Sequence, residues 1–230
     1  MAWGVPSAIG AKGEANNANM TPGLPTYSAG DILFIAAYSR YAVGGPATFT
    51  ATGYTVLYEP ATLGLTLLAK KAGASESGPT VVPTGGMSGG TCVCFMWAMS
   101  GGDADNLGSI VVTSANNQDG SADTNIETAA ITPGEANTAV IAVGGARDND
   151  AAGTGVTAPS WGTLIGYADS TLGADALVCA AYQIQTSVSA LGTDAFAVSP
   201  SALTESIIVA LRAAAAASVP KARILTLGVG

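Results

Sequence analysis

TCVCFMWAM, residues 91–99, decides the fold class of this chain. Side chains alternate between the two faces of a strand, so Val93, Phe95, Trp97 and Met99 share one face and Cys92, Cys94, Met96 and Ala98 the other. Both faces are apolar, the pattern of a strand covered on each side. Upstream, DILFIAAYSR (31–40) carries four consecutive large apolar residues and predicts a second strand of that kind. GYTVLYE (53–59) and LTLLAKKAG (65–73) lie between the two, separated by breaks rich in Gly, Pro and Ser. The beat then returns downstream as TAVIAVGGARD (138–148), SWGTLIGY (160–167), ALVCAAYQIQT (176–186) and ESIIVAL (205–211). Residue identities differ, but the spacing of runs and breaks is similar.

Short runs punctuated by Gly, Pro, Asn and Asp are the signature of an all-β chain. A parallel α/β sheet would need helical patterns between the strands, and none is present. The expected architecture is a jelly-roll-like antiparallel β-sandwich built from two four-strand pseudo-repeats, 31–99 and 138–211. An N-terminal arm (1–28) precedes the sandwich domain (29–213), and a C-terminal arm (214–230) follows it. Two shorter strands are expected between the units, over 109–114 and 125–131. Residues 201–217 read two ways. Their alanines and Ser201 suit a capped helix, whereas the β-branched Ile207, Ile208 and Val209 favour a strand over 205–212.

Composition narrows the function. Apolar residues make up 48% of the 230, enough for a substantial core, while charged residues are only 10%. The net charge of −8 and the scatter of the eight bases (Lys12, Arg40, Lys70, Lys71, Arg147, Arg212, Lys221 and Arg223) exclude a phosphate-binding surface. No apolar stretch is long enough to span a membrane, since IIVALRAAAAA is short and carries Arg212. The opening MAWGVPSAIG lacks the pattern of a secretion signal, which predicts synthesis in a cytoplasm.

Chemistry is sparse. There is no histidine, which removes Ser-His-Asp and Cys-His catalysis and histidine metal sites. The carboxylates Glu59, Glu76, Glu127 and Glu205 are not paired by spacing, and no Gly-rich phosphate loop is present. The expectation is a non-enzyme without a cofactor. Three cysteines, Cys92, Cys94 and Cys179, form no self-contained disulfide framework and read as small buried hydrophobes. Weak calcium candidates are Asp103 and Asp105 in GGDADN and Asp148 and Asp150 in RDND. Solvated turns explain the same residues.

The arms carry the remaining signal. Trp3, Val5 and Ile9 in the first, and Val219, Ile224, Leu225, Leu227 and Val229 in the last, are too apolar for solvated tails. An extended apolar segment adds readily to a sheet edge, so these residues are expected to act in assembly. The alternatives are that the first arm closes one edge of its own sandwich and that the last packs back on its own domain or frays.

The segments AWGVPSAIG (2–10), PTYSAGDILFIAAYSR (25–40), GYTVLYEP (53–60), LTLLAKKAGASESGPTVV (65–82) and CVCFMWAMSGGD (92–103) resemble a group of tailed-bacteriophage virion proteins. ITPGEANTAVIAV (131–143), SWGTLIGYADS (160–170) and the closing KARILTLGVG (221–230) continue the likeness. The resemblance implies a virion location after synthesis in the host cytoplasm, a homo-oligomer and contacts with other capsid or tail proteins. It implies no catalytic residues. A capsid decoration protein is the first expectation, and a tail-associated fibre, spike or baseplate component that binds a host glycan or protein is the second.

Overall fold

A computed structural model describes residues 2–40, 45–85, 90–119, 121–147, 155–170, 172 and 175–215. Among them the chain is nearly all β, with one short 3-10 turn at Leu107–Ser109. The strands are β1 (Gly13–Asn16), β2 (Ile32–Arg40), β3 (Thr48–Ala51), β4 (Thr55–Tyr58), β5 (Leu65–Lys71), β6 (Val81–Thr84) and β7 (Thr91–Met99). β8 (Val111–Gln118), β9 (Asp123–Thr128), β10 (Thr138–Arg147), β11 (Thr163–Ser170), β12 (Ala176–Gln185) and β13 (Asp194–Leu211) complete them.

Two antiparallel sheets face one another as a sandwich. The first has the order β1-β7-β2-β5-β4, and the second β11-β12-β10-β13-β8. Read from β8, the second sheet repeats the connectivity of the first: a preceding strand at the edge, then the last, first, third and second strands of the unit. The off-sheet pairings correspond too. β3 pairs with β6 between β2 and β7, and Thr157 bridges Ala197 between β10 and the sheet portion of β13. Each sheet thus takes four strands from one of the expected units and a fifth from the segment before it. The chain does not wind back and forth between the sheets as a jelly roll does, because each half keeps to its own sheet.

Alternation explains the layering. Phe34, Tyr38, Phe95 and Trp97 meet Ile141, Val143, Val178, Ile207 and Val209 in the central core, where Phe34 and Trp97 stack at 5.2 Å. The intervening residues fill two outer cores. Leu33, Ile35, Cys94 and Met96 are covered by Met20, Phe49 and Val81, and Val140, Ala142, Cys179 and Ile208 by Ile126 and Phe196. Both faces of both sheets are therefore buried, which is why β2, β7 and β10 read as continuous apolar runs.

β13 settles the ambiguous stretch as a strand up to Leu211. Its first part pairs with β9 over the outer core, and after a register shift between Ala197 and Ala202 it joins the main sheet. Ala213 then bridges Gly102. The expected short strands fall at β8 and β9.

Candidate functional site

Residues 2–28 of the expected arm are part of the sandwich. The amides of Gly4, Ser7 and Gly10 donate to the carbonyls of Ser100, Ala98 and Met96, and β1 continues this line along β7. Trp3 is only 5% exposed, and its Nε1 donates to the Leu211 carbonyl at 3.2 Å. Glycine is required opposite it. A Cβ on Gly102 would lie 2.3 Å from the Trp3 ring, and Gly101 has φ +87° with the Ala2 carbonyl against it. Ile9 reaches the other sheet at Gly166, and Lys12 Nζ donates to the Asp169 carbonyl. Of the three residues singled out in this arm, Trp3 is buried, Ile9 is half-buried and Val5 is 73% exposed. Val219, Ile224, Leu225, Leu227 and Val229 lie outside the described residues.

A buried carboxylate joins the two sheets across the core. Glu205 on β13 is 2% exposed; its Oε2 accepts from the Gly64 amide of the other sheet's β4–β5 loop at 2.7 Å. Its Oε1 accepts from Arg147 Nη2 at 3.1 Å. Burial pushes the Glu205 carboxyl above its ordinary range, and the bonds from Gly64 and Arg147 pull it partly back. Nearby, Gly145 leaves room for Tyr38, whose ring would stand 2.5 Å from an added Cβ. Sequence reasoning left Glu205 and Arg147 unconnected. The signal was a lone carboxylate heading an apolar run in a chain with few charges, and its partner becomes visible only when β10 and β13 pair.

Two recesses open on the surface. One, of about 350 Å³, is lined by Asn125, Glu127, Thr193, Asp194 and Ala195, between β9 and the start of β13. Asp194 is committed to structure there. It accepts from Ser160 Oγ at 2.6 Å, from the Ser160 amide at 2.7 Å and from the Ala195 amide at 2.8 Å, which hold its carboxyl below the ordinary range. Glu127 accepts from Asn117 Nδ2 at 3.4 Å. The second, of about 270 Å³, includes Tyr54, Lys70 and Ser77. Lys70 is ion-paired there with Glu76, whose carboxyl is held below its usual range by that bond and by the Gly73 amide.

The acidic turns are occupied by local bonds. Both carboxylate oxygens of Asp103 accept from Asn106 Nδ2, at 2.9 and 3.1 Å, and Asp105 pairs with Lys71. Asp148 and Asp150 lie outside the described residues. Among the described residues no group of three or more His, Cys, Asp or Glu is placed to hold a metal ion. Cys92, Cys94 and Cys179 are free and buried, and burial pushes the Cys92 thiol up to about 12. No helix among the described residues is long and apolar enough to cross a membrane.

No protein-family model, curated protein or solved structure matches this chain.

Proposed function

We propose that this protein is a non-enzymatic structural protein of a tailed-bacteriophage virion, most specifically a capsid decoration protein that assembles with copies of itself. The resemblance of segments such as 25–40, 65–82, 92–103 and 131–143 to such proteins motivates the reading. The observation that carries it is the use made of buried ionisable chemistry. Buried Glu205 is spent on structure, pairing with Arg147 within its own sheet and accepting from the Gly64 amide of the other. The three buried thiols are held in the outer cores. Such a molecule acts through its surface. The shared strand order of the two sheets supports reading 31–99 and 138–211 as two pseudo-repeats of one unit.

A second reading, a tail-associated component that recognises a host glycan, is favoured by one observation: the polar recess at Asn125, Glu127, Thr193 and Asp194.

Antibody labelling of intact particles, with copy number from an electron-microscopy map, separates the two. Many copies on the head are expected for a decoration protein. Labelling confined to the tail transfers the assignment to the second reading, and absence from purified particles overturns both.

A further inference from the structure

The two halves correspond residue by residue as well as strand by strand. β2 ends on Arg40 and β10 on Arg147. Aligned on those arginines, Phe34, Ala36 and Tyr38 match Ile141, Val143 and Gly145, all on the inner faces of the sheets. Their strand partners follow: Trp97, Phe95 and Val93 on β7 match Val209, Ile207 and Glu205 on β13.

Contacts across the core obey the same correspondence. β2 packs against β12, and its counterpart β10 packs against β5, the counterpart of β12. β7 meets β12, and β13 meets β5. Each arginine's link crosses to the residue just ahead of that strand. Arg40 Nη1 donates to the Asp175 carbonyl before β12 at 3.1 Å, and Arg147 holds Glu205, which accepts from the Gly64 amide before β5. The flanks exchange too. Lys12, just ahead of β1, meets β11 at Asp169, and Tyr58 of β4 meets β8 at Asn116. The correspondence ends where β7 also meets β11, for on the other flank the turn Leu107–Ser109 stands against β4. Contacts that trade places in this way are the mark of a two-fold rotation.

On a two-fold axis a residue meets its own counterpart. Tyr38 and Gly145 are counterparts, and they touch: a Cβ on Gly145 would stand 2.5 Å from the Tyr38 ring. The pair is unequal, a ring against bare backbone. The same inequality runs along the core, where Phe34, Phe95 and Trp97 in one half stand for Ile141, Ile207 and Val209 in the other. Two first halves would bring ring onto ring at the axis, and two second halves would leave a void there.

We infer that the core between the sheets is a dimer-like interface about a pseudo-two-fold axis at Tyr38 and Gly145. Its large and small faces make each half select the other and reject a second copy of itself. This rests on reading 31–99 and 138–211 as pseudo-repeats, and it is independent of where the protein acts.

Cleavage of the folded full chain tests the selection. Gly108 lies on the turn that joins the halves, with nothing within 4 Å of an added Cβ, so a protease site inserted after it should leave the fold intact. After cleavage, denaturation and refolding, native mass spectrometry should find pairs containing one of each piece. Pairs of a piece with itself, or pieces that fold apart, overturn the inference. The uncut chain supplies a second measurement. Gly145→Ala should lower Tm by about 5 °C by pressing on the Tyr38 ring, and in a Tyr38→Ala chain the same change should lower it by less than about 1 °C. Equal losses in both chains overturn the placement of the axis. The exchange variant Tyr38→Gly, Gly145→Tyr should recover at least about half of the Tm lost by Tyr38→Gly alone, since the two positions are equivalent. An exchange variant no more stable than that single one overturns the equivalence. A protein that passes these tests and is absent from purified virions removes the virion assignment and leaves this inference standing.

Discussion

Along one flank of the sandwich, residues 4–16 run beside β7, Trp3 caps the end of β13, and Ile9 and Lys12 cross to β11 in the facing sheet. Along the other, β4 and β8 approach one another, and the Tyr58 hydroxyl donates to Asn116 Oδ1 at 3.0 Å. The sheets have the same strand order, so the difference does not come from topology. It comes from what precedes each unit. The segment before β2 is long enough to supply an edge strand and then seal the flank, whereas the segment before β10 supplies β8 and then turns away to cover an outer core as β9. One flank is a finished wall, and the other carries the uncharged strand β8.

The tie between the sheets is the Gly64–Glu205 bond, with Arg147 held by the same carboxylate, and its removal has the largest expected effect. Glu205→Ala removes the buried carboxylate that accepts from both the Gly64 amide and Arg147, and should cost about 4 kcal/mol in denaturant unfolding. The same group sets a pH dependence. Burial raises its folded-state carboxyl above the unfolded value, so the folded protein holds this proton more firmly than the unfolded chain. The stability contributed by protonation is present at acid pH and is lost as pH rises through and above the usual carboxylate range. Glu205→Gln should flatten the stability profile from about pH 4 toward neutrality, and an unchanged slope would break the assignment.

Next in size is the sealed wall. Trp3→Ala empties a buried ring site and removes the bond to Leu211, and should cost about 3 kcal/mol. The signature that separates this flank from the other is local. The amides of Gly4, Ser7 and Gly10 should exchange faster in the variant while those of β8 do not change. Acceleration on both flanks together would show that the two are finished as one unit. Smallest is Tyr58→Phe, which deletes only the hydroxyl bond to Asn116 on the exposed side and should cost no more than about 1 kcal/mol by thermal unfolding.

Much of this was legible in the residues. The alternation of Val93, Phe95, Trp97 and Met99 against Cys92, Cys94 and Met96 placed those side chains on opposite faces, and the structure puts them in two different cores. The β-branched run Ile207–Val209 overcame the helical leaning of the neighbouring alanines, because a strand between β10 and β8 buries both of its faces. The chain's passage from sheet to sheet was not legible. A run's periodicity reports how many of its faces are covered and is silent on which strands cover them. For the same reason the apolar character of Trp3 did not reveal that it packs at the end of β13. Glu205 read as one carboxylate among several.

What the sequence by itself determined is the class of structure: strand-length apolar runs with few charges admit an all-β sandwich with both sheets covered, because side-chain alternation is a local property of the backbone. Tertiary structure alone decided which edge the arm seals, and where the buried charge finds its partner. Those depend on strand neighbours far apart in the chain, such as Trp3 with Leu211 and Gly64 with Glu205, and no local pattern encodes such a pairing.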